Sequence, residues 1–431
     1  MKVKLISIVA VIVIGILVLM LAVSNHTAVE REYNTNLEKA RANAENLIPY
    51  NAYNYYKAAF KTRCDDEDVY QEFLEQAALL GDSYYRSAVK DYVVKFPMSA
   101  TAYELLCKMY YEAGSYSMLL DTALEAREKN VATAQVAEWY TECSYMLRSV
   151  KSGVEDPQPF LGGYALVKIR GKYGYIKESG EFLLAPIYTE ASAMMGANAA
   201  VNDGEEWHII NRAGFKIART STPVDYMGIL TGGKIPVSKD NKYAYATSSL
   251  RIPKDLPYDY ASNFKNGVAA VKKGNKWALI NTNEEQITDY IFEDIILDEY
   301  DTCCNEGVIF VKKDGKYYML NSKGSRITDQ AFDDAKSFAG SGPAAICISG
   351  KWGFVDKTGK IVIEPQYEDA KSFNIGLGAI CVEGAWGYIN TKGTIRIECQ
   401  FEDCQSFAKN GIVAVKEKGM WKYVRLLSYC D

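Results

Sequence analysis

The hydrophobic pattern of the chain changes twice and divides it into three parts. From Leu5 to Val23 the residues are apolar, with Ser7 as the only polar side chain. From residue 32 to about residue 152, apolar residues recur three and four positions apart, which predicts amphipathic helices. From Gly162 onward, apolar and polar residues alternate in short runs, which predicts strands. The predicted domains are a membrane anchor (1–24), a helical domain (30–152), a polar linker (153–161) and a β domain (162–431).

The first segment is long enough to cross roughly 30 Å of hydrocarbon as a helix. Lys2 and Lys4 precede it, and Glu30 and Glu32 follow it. By the positive-inside rule, this predicts a cytoplasmic N-terminus. The prediction is therefore a single-pass protein of the cell membrane with most of the chain outside the cytoplasm. The alternative is a cleaved signal peptide, with Ala22–Ser24 as its small-residue cleavage site.

The β domain contains one unit repeated roughly every 35 residues. Two copies, Lys351–Phe373 and Ala385–Phe407, read KWGFVDKTGKIVIEPQYEDAKSF and AWGYINTKGTIRIECQFEDCQSF. A fixed period indicates one small unit that is stacked many times. The aromatic residues that mark the successive copies are Tyr173, Trp207, Tyr243, Trp277, Tyr317, Trp352, Trp386 and Trp421.

Each unit is predicted to form three short strands. In the clearest copy these are 344–348, 352–355 and 360–363, with a turn at Asp356–Gly359 between the last two. Gly353 lacks a side chain, which lets a neighbouring strand or ring approach closely. A sheet this small cannot bury both faces alone, so the units must stack. We expect a β-propeller of seven or eight blades, and an open β-solenoid is the alternative.

These motifs resemble those of the WG-repeat family. The shared features are an aromatic-Gly pair, an Asp or Asn, a turn Gly, an apolar strand and a Tyr/Phe-Glu-Asp sequence. The resemblance implies a recognition or cell-envelope module and implies no known chemistry.

The helical domain has a tetratricopeptide-like pattern. The stretch Tyr110–Tyr116 resembles the middle of a tetratricopeptide repeat, and Ala123 and Ala126 lie where that repeat has small residues for close packing. This predicts a stack of antiparallel helix pairs. Aromatic side chains on these helices are predicted to bind a partner, because they supply contact area at low entropic cost. The predicted binding residues are Tyr103, Tyr110, Tyr111 and Tyr140. A generic helical bundle that acts as a spacer is the alternative.

Adjacent carboxylates follow the aromatic residue near the end of most units. Such pairs bind calcium or act as acid and base in some proteins. The same pair in nearly every unit favours a structural role instead, in which each acid caps backbone N–H groups of a turn. These acids are Glu190, Asp259, Glu293, Asp294, Asp333, Asp334, Glu368, Asp369, Glu402 and Asp403.

Cysteine and histidine give no catalytic or metal pattern. The only histidines are His26 and His208, which argues against triads and zinc sites. We expect His208 to be a packing residue. Cys399 and Cys404 could form a local disulfide, and Cys303–Cys304 is predicted to be the most exposed and most reactive thiol pair. No catalytic residue, cofactor or metal is predicted.

The net charge of −5 is spread along the chain without a basic tract, so nucleic acid is not an expected partner. The sequence predicts a membrane-anchored, non-enzymatic binding or scaffold protein. Its helical and WG-repeat surfaces would recognise a protein, a peptide or a cell-envelope glycan. The alternative is a hydrolase or lyase with its active site in a propeller funnel. A specific site is expected in Trp207–Leu250, where the repeat is most degenerate.

Overall fold

A computed structural model describes residues 26–429 of the chain, which divides after Ser144 into two compact units. The predicted membrane segment, Leu5–Val23, lies outside the described residues. Within residues 26–429, no helix has the length and apolar character needed to cross a bilayer. The predicted fold class is therefore corrected: seven helices and a β-propeller are found, and a transmembrane helix is not supported.

The first unit contains seven helices in the described part of the chain, and from α2 to α7 each packs against the next. Asp66 caps α3 by accepting the N–H groups of Asp68 and Val69, and Ser99 caps α5. The helices are α1 (26–45), α2 (Pro49–Thr62), α3 (Glu67–Leu80), α4 (Asp82–Lys95), α5 (Ala100–Glu112), α6 (Tyr116–Glu128) and α7 (Ala134–Ser144).

Buried tyrosines and small residues hold these helices together. The ring of Tyr70 stacks on Tyr92 at 4.8 Å, and its hydroxyl donates to the Ala88 carbonyl at 3.1 Å. Ala123 and Ala126 are fully buried, as the sequence predicts. The described residues of this unit are therefore mainly helical. The tetratricopeptide resemblance is supported only by the succession of short helices.

The second unit is an eight-bladed β-propeller. Blades 1 and 2 are β2–β5 (Asp156–Pro157, Tyr164–Ile169, Lys172–Lys177, Phe182–Tyr188) and β6–β9 (Glu190–Ala191, Asn198–Asn202, Trp207–Asn211, Lys216–Arg219). Blades 3, 4 and 5 are β10–β12 (Tyr226–Met227, Lys234–Lys239, Lys242–Thr247), β13–β15 (Tyr260–Ala261, Val268–Lys273, Lys276–Asn281) and β16–β18 (Asp294–Ile295, Val308–Lys313, Lys316–Asn321). Blades 6 and 7 are β19–β22 (Asp334–Ala335, Ala344–Ile348, Lys351–Val355, Ile361–Tyr367) and β23–β26 (Asp369–Asn374, Leu377–Val382, Ala385–Asn390, Ile395–Phe401). Blade 8 is β27–β29 (Asp403–Cys404, Ile412–Glu417, Met420–Leu426) together with β1 (Leu147–Val154).

The ring is closed by the two ends of this unit. Strand β1 pairs antiparallel with β29, from Leu147↔Leu426 to Val154↔Trp421. Tyr423 of blade 8 donates its hydroxyl to the Gln158 carbonyl of blade 1 at 2.6 Å. Closure excludes the open solenoid. It also places residues 147–154 and 156–157 in strands, so the stretch predicted as a linker (153–161) begins within strands of blades 8 and 1.

Five of the eight sheets have four strands, which corrects the prediction of three-stranded units. The missed strand is the first one of each blade, and in most blades it has only two residues. In blade 6 it pairs as Asp334↔Cys347 and Ala335↔Ile346. Two residues are too few to show an alternating pattern, so the sequence did not reveal this strand.

The glycine of the aromatic-Gly pair allows the fourth strand to approach. Three residues, Glu364–Gln366, oppose the single Gly353, and a Cβ on that glycine would lie 2.5 Å from the Ile363 carbonyl oxygen. Gly174 and Gly387 meet their fourth strands in the same way. Blades 3, 4 and 5 carry Ala244, Ala278 and Tyr318 at this position, and each has only three strands.

Candidate functional site

A cavity of about 780 Å³ lies where the first strands of six blades converge. Blades 1, 4, 5, 6, 7 and 8 contribute to its wall, through these strands and the segments that follow them. The wall has apolar parts, including Phe160, Leu297 and Phe407, and polar parts that include lysines and carboxylates. Its size and its mixed lining are typical of small-molecule sites.

An insertion in blade 5 enters this cavity. Twelve residues separate β16 from β17, whereas six separate β13 from β14 in blade 4. The additional residues are Ile296–Asp301, which we call the channel loop. Ile296 to Tyr300 line the cavity.

Hydrogen bonds hold the channel loop against blade 4. The Asp298 carboxylate accepts the N–H groups of Tyr300 at 3.1 Å and Thr302 at 2.8 Å. Asn263 of blade 4 donates its backbone N–H to the Asp301 carbonyl and its side-chain Nδ2 to the Tyr300 carbonyl, both at 2.8 Å. On the opposite side, the Tyr300 hydroxyl donates to the Pro159 carbonyl of blade 1 at 2.9 Å. The loop is therefore fixed to two blades that are not neighbours.

Most charges in the cavity wall are paired. Lys265 lies 3.2 Å from Asp298, Lys371 lies 2.9 Å from Asp403, and Glu306 lies 2.6 Å from Lys357. Lys336 lies 3.6 Å from Asp369. The cavity thus carries many formal charges but little net charge from these pairs.

Glu299 of the channel loop differs from the other acids of the cavity wall in its lack of a charged partner. It forms no ion pair with any described residue, and solvent reaches its side chain although protein surrounds it, as expected within a cavity. This enclosure raises the pKa of Glu299 above its usual value, and the neighbouring Asp298 adds to the effect. Lys371 and Lys265 oppose it.

Asp301, at the end of the channel loop, is an enclosed carboxyl group beside tyrosines. The Tyr260 hydroxyl donates to Asp301 Oδ1 at 2.6 Å, and Oδ2 is buried without a hydrogen-bond partner in the described structure. Burial raises the pKa of Asp301 to about 7, against the effect of the Tyr260 hydrogen bond. Asp298 adds to the rise.

A row of five aromatic rings crosses blades 2 to 4 next to Asp301. Successive ring centroids are 5.9, 6.0, 5.2 and 5.4 Å apart. Tyr226 and Tyr260 occupy the position at which Asp369 and Asp403 stand in blades 7 and 8. The row consists of Trp207, Tyr226, Tyr243, Tyr260 and Trp277. The degenerate stretch 207–250 therefore supplies rings to this row and none of the residues that line the cavity.

The first acid of a pair caps a turn, as the sequence predicts, whereas the second acids and Glu190 do not. Asp294 accepts from the Tyr317 hydroxyl, Asp403 pairs with Lys371, and Glu190 accepts from the Asn202 side chain. The first acid of each pair accepts a backbone N–H from the hairpin turn of its own blade. Within residues 26–429, no group of three or more His, Cys, Asp or Glu side chains could hold a metal ion. The bonded pairs are Glu155 with Gly171, Asp225 with Asp240, Asp259 with Gly274, Glu293 with Asp314, Asp333 with Ser349, Glu368 with Gly384 and Glu402 with Gly419.

Replacing Glu402 with alanine should remove the acceptor for the Gly419 N–H, which lies 3.0 Å away. We expect the free energy of unfolding to fall by about 1 kcal/mol, the usual effect of losing such a cap. Urea denaturation of the full chain measures this. Glu398→Ala, at an exposed position on β26, is the control and should change stability by less than about 0.5 kcal/mol. Equal effects of the two changes would contradict the capping role.

The four predicted binding tyrosines do not form one exposed set. Tyr103 is fully buried; its hydroxyl donates to Glu125 and accepts from Lys129, both at 2.7 Å. Tyr110, Tyr111 and Tyr140 are half-buried. Tyr111 stacks on Trp139 and donates to Glu142, and Arg127 lies over the ring of Tyr140. A binding role for the half-buried three stays a prediction, whereas Tyr103 serves packing.

The cysteine predictions need correction. Cys303 and Cys304 are 1% and 0% exposed, and burial raises the pKa of both thiols. Cys304 precedes β17 by the same spacing as the core residue Phe264 precedes β14, so it fills the place of a packed ring. Cys399 and Cys404 are both free thiols. His208 is buried, with Nδ1 3.2 Å from the Glu206 carbonyl, which agrees with a packing role.

Sequence reasoning missed Glu299 as a site residue. The signal was present, because Trp277 and Tyr317 are spaced more widely than the other markers. The residues of each repeat are needed for packing within the blades. An insertion between two repeats is not, so it can project toward the axis of the propeller. Glu299 could be identified as the unpaired acid of the cavity lining only after the partners of Asp298, Glu306 and Asp403 were known.

Four stretches match the family model described as WG containing repeat: residues 173–207, 257–277, 352–384 and 386–421. They lie in blades 1 to 2, 4, 6 to 7 and 7 to 8. The WG-repeat resemblance is therefore supported at four places in the propeller. No curated protein matches the chain.

Several solved structures are similar at low identity. One is PorZ of Porphyromonas gingivalis, described as a surface component of the type-IX secretion system (11% identity, TM-score 0.33, 62% of this chain). This chain spans 42% of the length of that protein. Others are a eukaryotic initiation factor (12%, TM-score 0.40, 67% of this chain and 88% of that one) and the dihydro-heme d1 dehydrogenase NirN (11%, TM-score 0.41, 70% and 82%). The WG repeats and the propeller together indicate a repeat-domain protein of the binding or scaffold type.

Proposed function

We propose that this protein is a non-enzymatic binding protein that holds a small ligand in the central cavity of its propeller, beside the channel loop. The observation that carries this proposal is the channel loop itself. It interrupts an otherwise regular ring, enters the cavity and is hydrogen bonded to blades 1 and 4. A fixed loop of this kind presents its side chains to a ligand without an ordering cost on binding.

The composition of the wall supports binding rather than catalysis. Its acids and lysines are mostly neutralised by one another, and the lining contains neither histidine nor arginine. A convergent set of Glu, His and Arg would favour a funnel enzyme, and this lining contains no His and no Arg. Polar groups fixed within a partly apolar wall orient a ligand.

The wider partner predictions remain. A protein or peptide partner for the helical unit, and a cell-envelope glycan for the propeller, stay predictions. The extracytoplasmic location likewise stays a prediction. The experiment below includes peptides and oligosaccharides, so it separates these partner classes from small polar molecules.

The experiment is equilibrium dialysis of the full chain against a mixture of amino acids, amines, sugars, organic acids, short peptides and oligosaccharides, read by mass spectrometry. Ala339→Trp is the blocking variant, because Ala339 is exposed on the cavity wall. Ala213→Trp is the control at an exposed turn outside the cavity. We expect the wild type and Ala213→Trp to enrich the same compound at least tenfold over Ala339→Trp.

Two results would contradict the proposal. One is enrichment of nothing, or equal enrichment by Ala339→Trp, which would remove the cavity from the function. The other is chemical conversion of the enriched compound, which would favour the enzyme alternative.

A further inference from the structure

We propose that the ligand of the central cavity is a small organic amine whose ammonium group pairs with the Glu299 carboxylate. This inference rests on the proposed function and names the class of ligand for the same cavity. It follows from the distribution of charge on the wall, from the fixed position of the channel loop and from one aromatic ring.

All acids of the cavity lining but one have a cationic partner. Asp298 is engaged by Lys265 and by two backbone N–H groups, and Asp403 is engaged by Lys371. Glu306 is engaged by Lys357. Glu299 is the remaining acid of the lining, and no lysine or arginine among the described residues forms an ion pair with it. A carboxylate that faces a cavity without a counter-ion gains a charge-assisted hydrogen bond from a ligand that brings positive charge.

The lysines of the cavity lining are likewise paired, with one exception. Lys265, Lys336 and Lys371 are occupied by acids, which leaves Lys409 as the unpaired cation of the wall in the described structure. Lys409 is an exposed side chain on blade 8, as Glu299 is on the channel loop. Glu299 sits on a loop fixed at both sides, so the pre-organised charge is the negative one. An anionic ligand held by Lys409 is the competing possibility that the test includes.

One indole ring of the cavity wall, that of Trp421, lacks the lysine found over its counterparts in blades 6 and 7. In blades 6 and 7 the ammonium groups of Lys336 and Lys371 lie 4.8 Å from the ring centroids of Trp352 and Trp386. In blade 8 the equivalent residue is Gln405, whose Nε2 donates to the Pro157 carbonyl at 2.7 Å. Trp421 lines the cavity, and no cation of the described residues lies over its ring. The face of an indole ring attracts ammonium groups, so Trp421 suits an amine as well.

Size and ligand count favour an organic amine over a metal ion. Calcium takes six to eight oxygen ligands, whereas the wall offers one carboxylate without an ion-pair partner. A volume of about 780 Å³ suits an organic molecule with an apolar chain, which can pack on the half-buried Ile296 and Leu297.

The test uses ligand-observed NMR on the full chain with three probes of similar shape: butylammonium, butyrate and 1-butanol. Calcium chloride is tested separately by calorimetry. The variants are Glu299→Gln, which removes the charge at constant shape, and Glu306→Gln, a control acid in the same wall that is paired with Lys357. Thermal unfolding of each variant verifies that it is folded.

We expect butylammonium to give a saturable signal that exceeds those of butyrate and butanol. Glu299→Gln should weaken its binding at least tenfold, and Glu306→Gln should change it less than about threefold. A preference for butyrate, binding of calcium at Glu299, equal butylammonium affinity in Glu299→Gln, or no butylammonium signal would overturn the inference. If dialysis shows cavity-dependent enrichment of a compound without an amine, the proposed function is retained. The assignment of an amine as the ligand is then wrong. If dialysis shows no enrichment, both fall.

Discussion

Replacing Gly353 with alanine is expected to lower the free energy of unfolding of the propeller by about 3 kcal/mol or more. The added Cβ would lie 2.5 Å from the Ile363 carbonyl oxygen and 2.6 Å from the Pro365 nitrogen. Both are backbone atoms of the fourth strand, so no side-chain rotation relieves the overlap. Relief requires β22 to separate from β21, which exposes the core of blade 6. Denaturant unfolding followed by tryptophan fluorescence measures the loss.

Gly350→Ala, in the preceding turn of the same blade, is the matched control. Gly350 has φ +76, and the space around its Cβ is open, so the replacement meets backbone strain without a clash. Its expected loss is about 1 kcal/mol. If Gly353→Ala were no more destabilising than this control, close approach of the fourth strand would not explain the aromatic-Gly pair.

Asp301→Asn is expected to make the chain more stable than the wild type at pH 8, and to remove part of the fall in stability between pH 4 and pH 7. The carboxyl of Asp301 has its pKa raised to about 7 in the folded chain, mainly by burial. An unfolded chain releases this proton near pH 4. Between these values the folded state binds more protons, so the free energy of unfolding decreases as the pH rises.

The upper limit of this effect is roughly 4 kcal/mol, three pH units at about 1.4 kcal/mol each. Thermal unfolding at pH 5 and pH 8 measures it. Asp289→Asn, at an exposed position, is the control and should leave the pH dependence unchanged. A wild-type chain and an Asp301→Asn chain with the same pH dependence would show that Asp301 is ionised in the folded state, contrary to its burial beside Tyr260.

The sequence revealed those parts of the fold that repeat. Several features follow from patterns that recur in many units. They are the repeat period, the hairpin around Trp352, the turn at Gly359 and the capping role of Glu402. Because each feature occurs in several units, one unit with a degenerate sequence does not prevent its recognition. The glycine before Phe354 was likewise understood as a site of close approach, and the structure identifies the strand that approaches it.

The sequence did not reveal features that occur once or that depend on distant partners. The closing strand β1 lies at the end of a helical region and pairs with β29 more than 260 residues later. Cys304 was predicted to be exposed, but it occupies the place of a core ring. Asp298 and Glu299 are adjacent and chemically alike. Only the position of Lys265 shows that the first is paired and the second is not.

The central claim is that the propeller holds a ligand in its cavity beside the channel loop. The most direct test is an experimental structure of the full chain with the compound that dialysis enriches most. The account predicts density for that compound inside the cavity, in contact with the channel loop at Glu299 and absent in Ala339→Trp. Density for the compound at the edge of the blades or on the helical unit, with only water in the cavity, would contradict it.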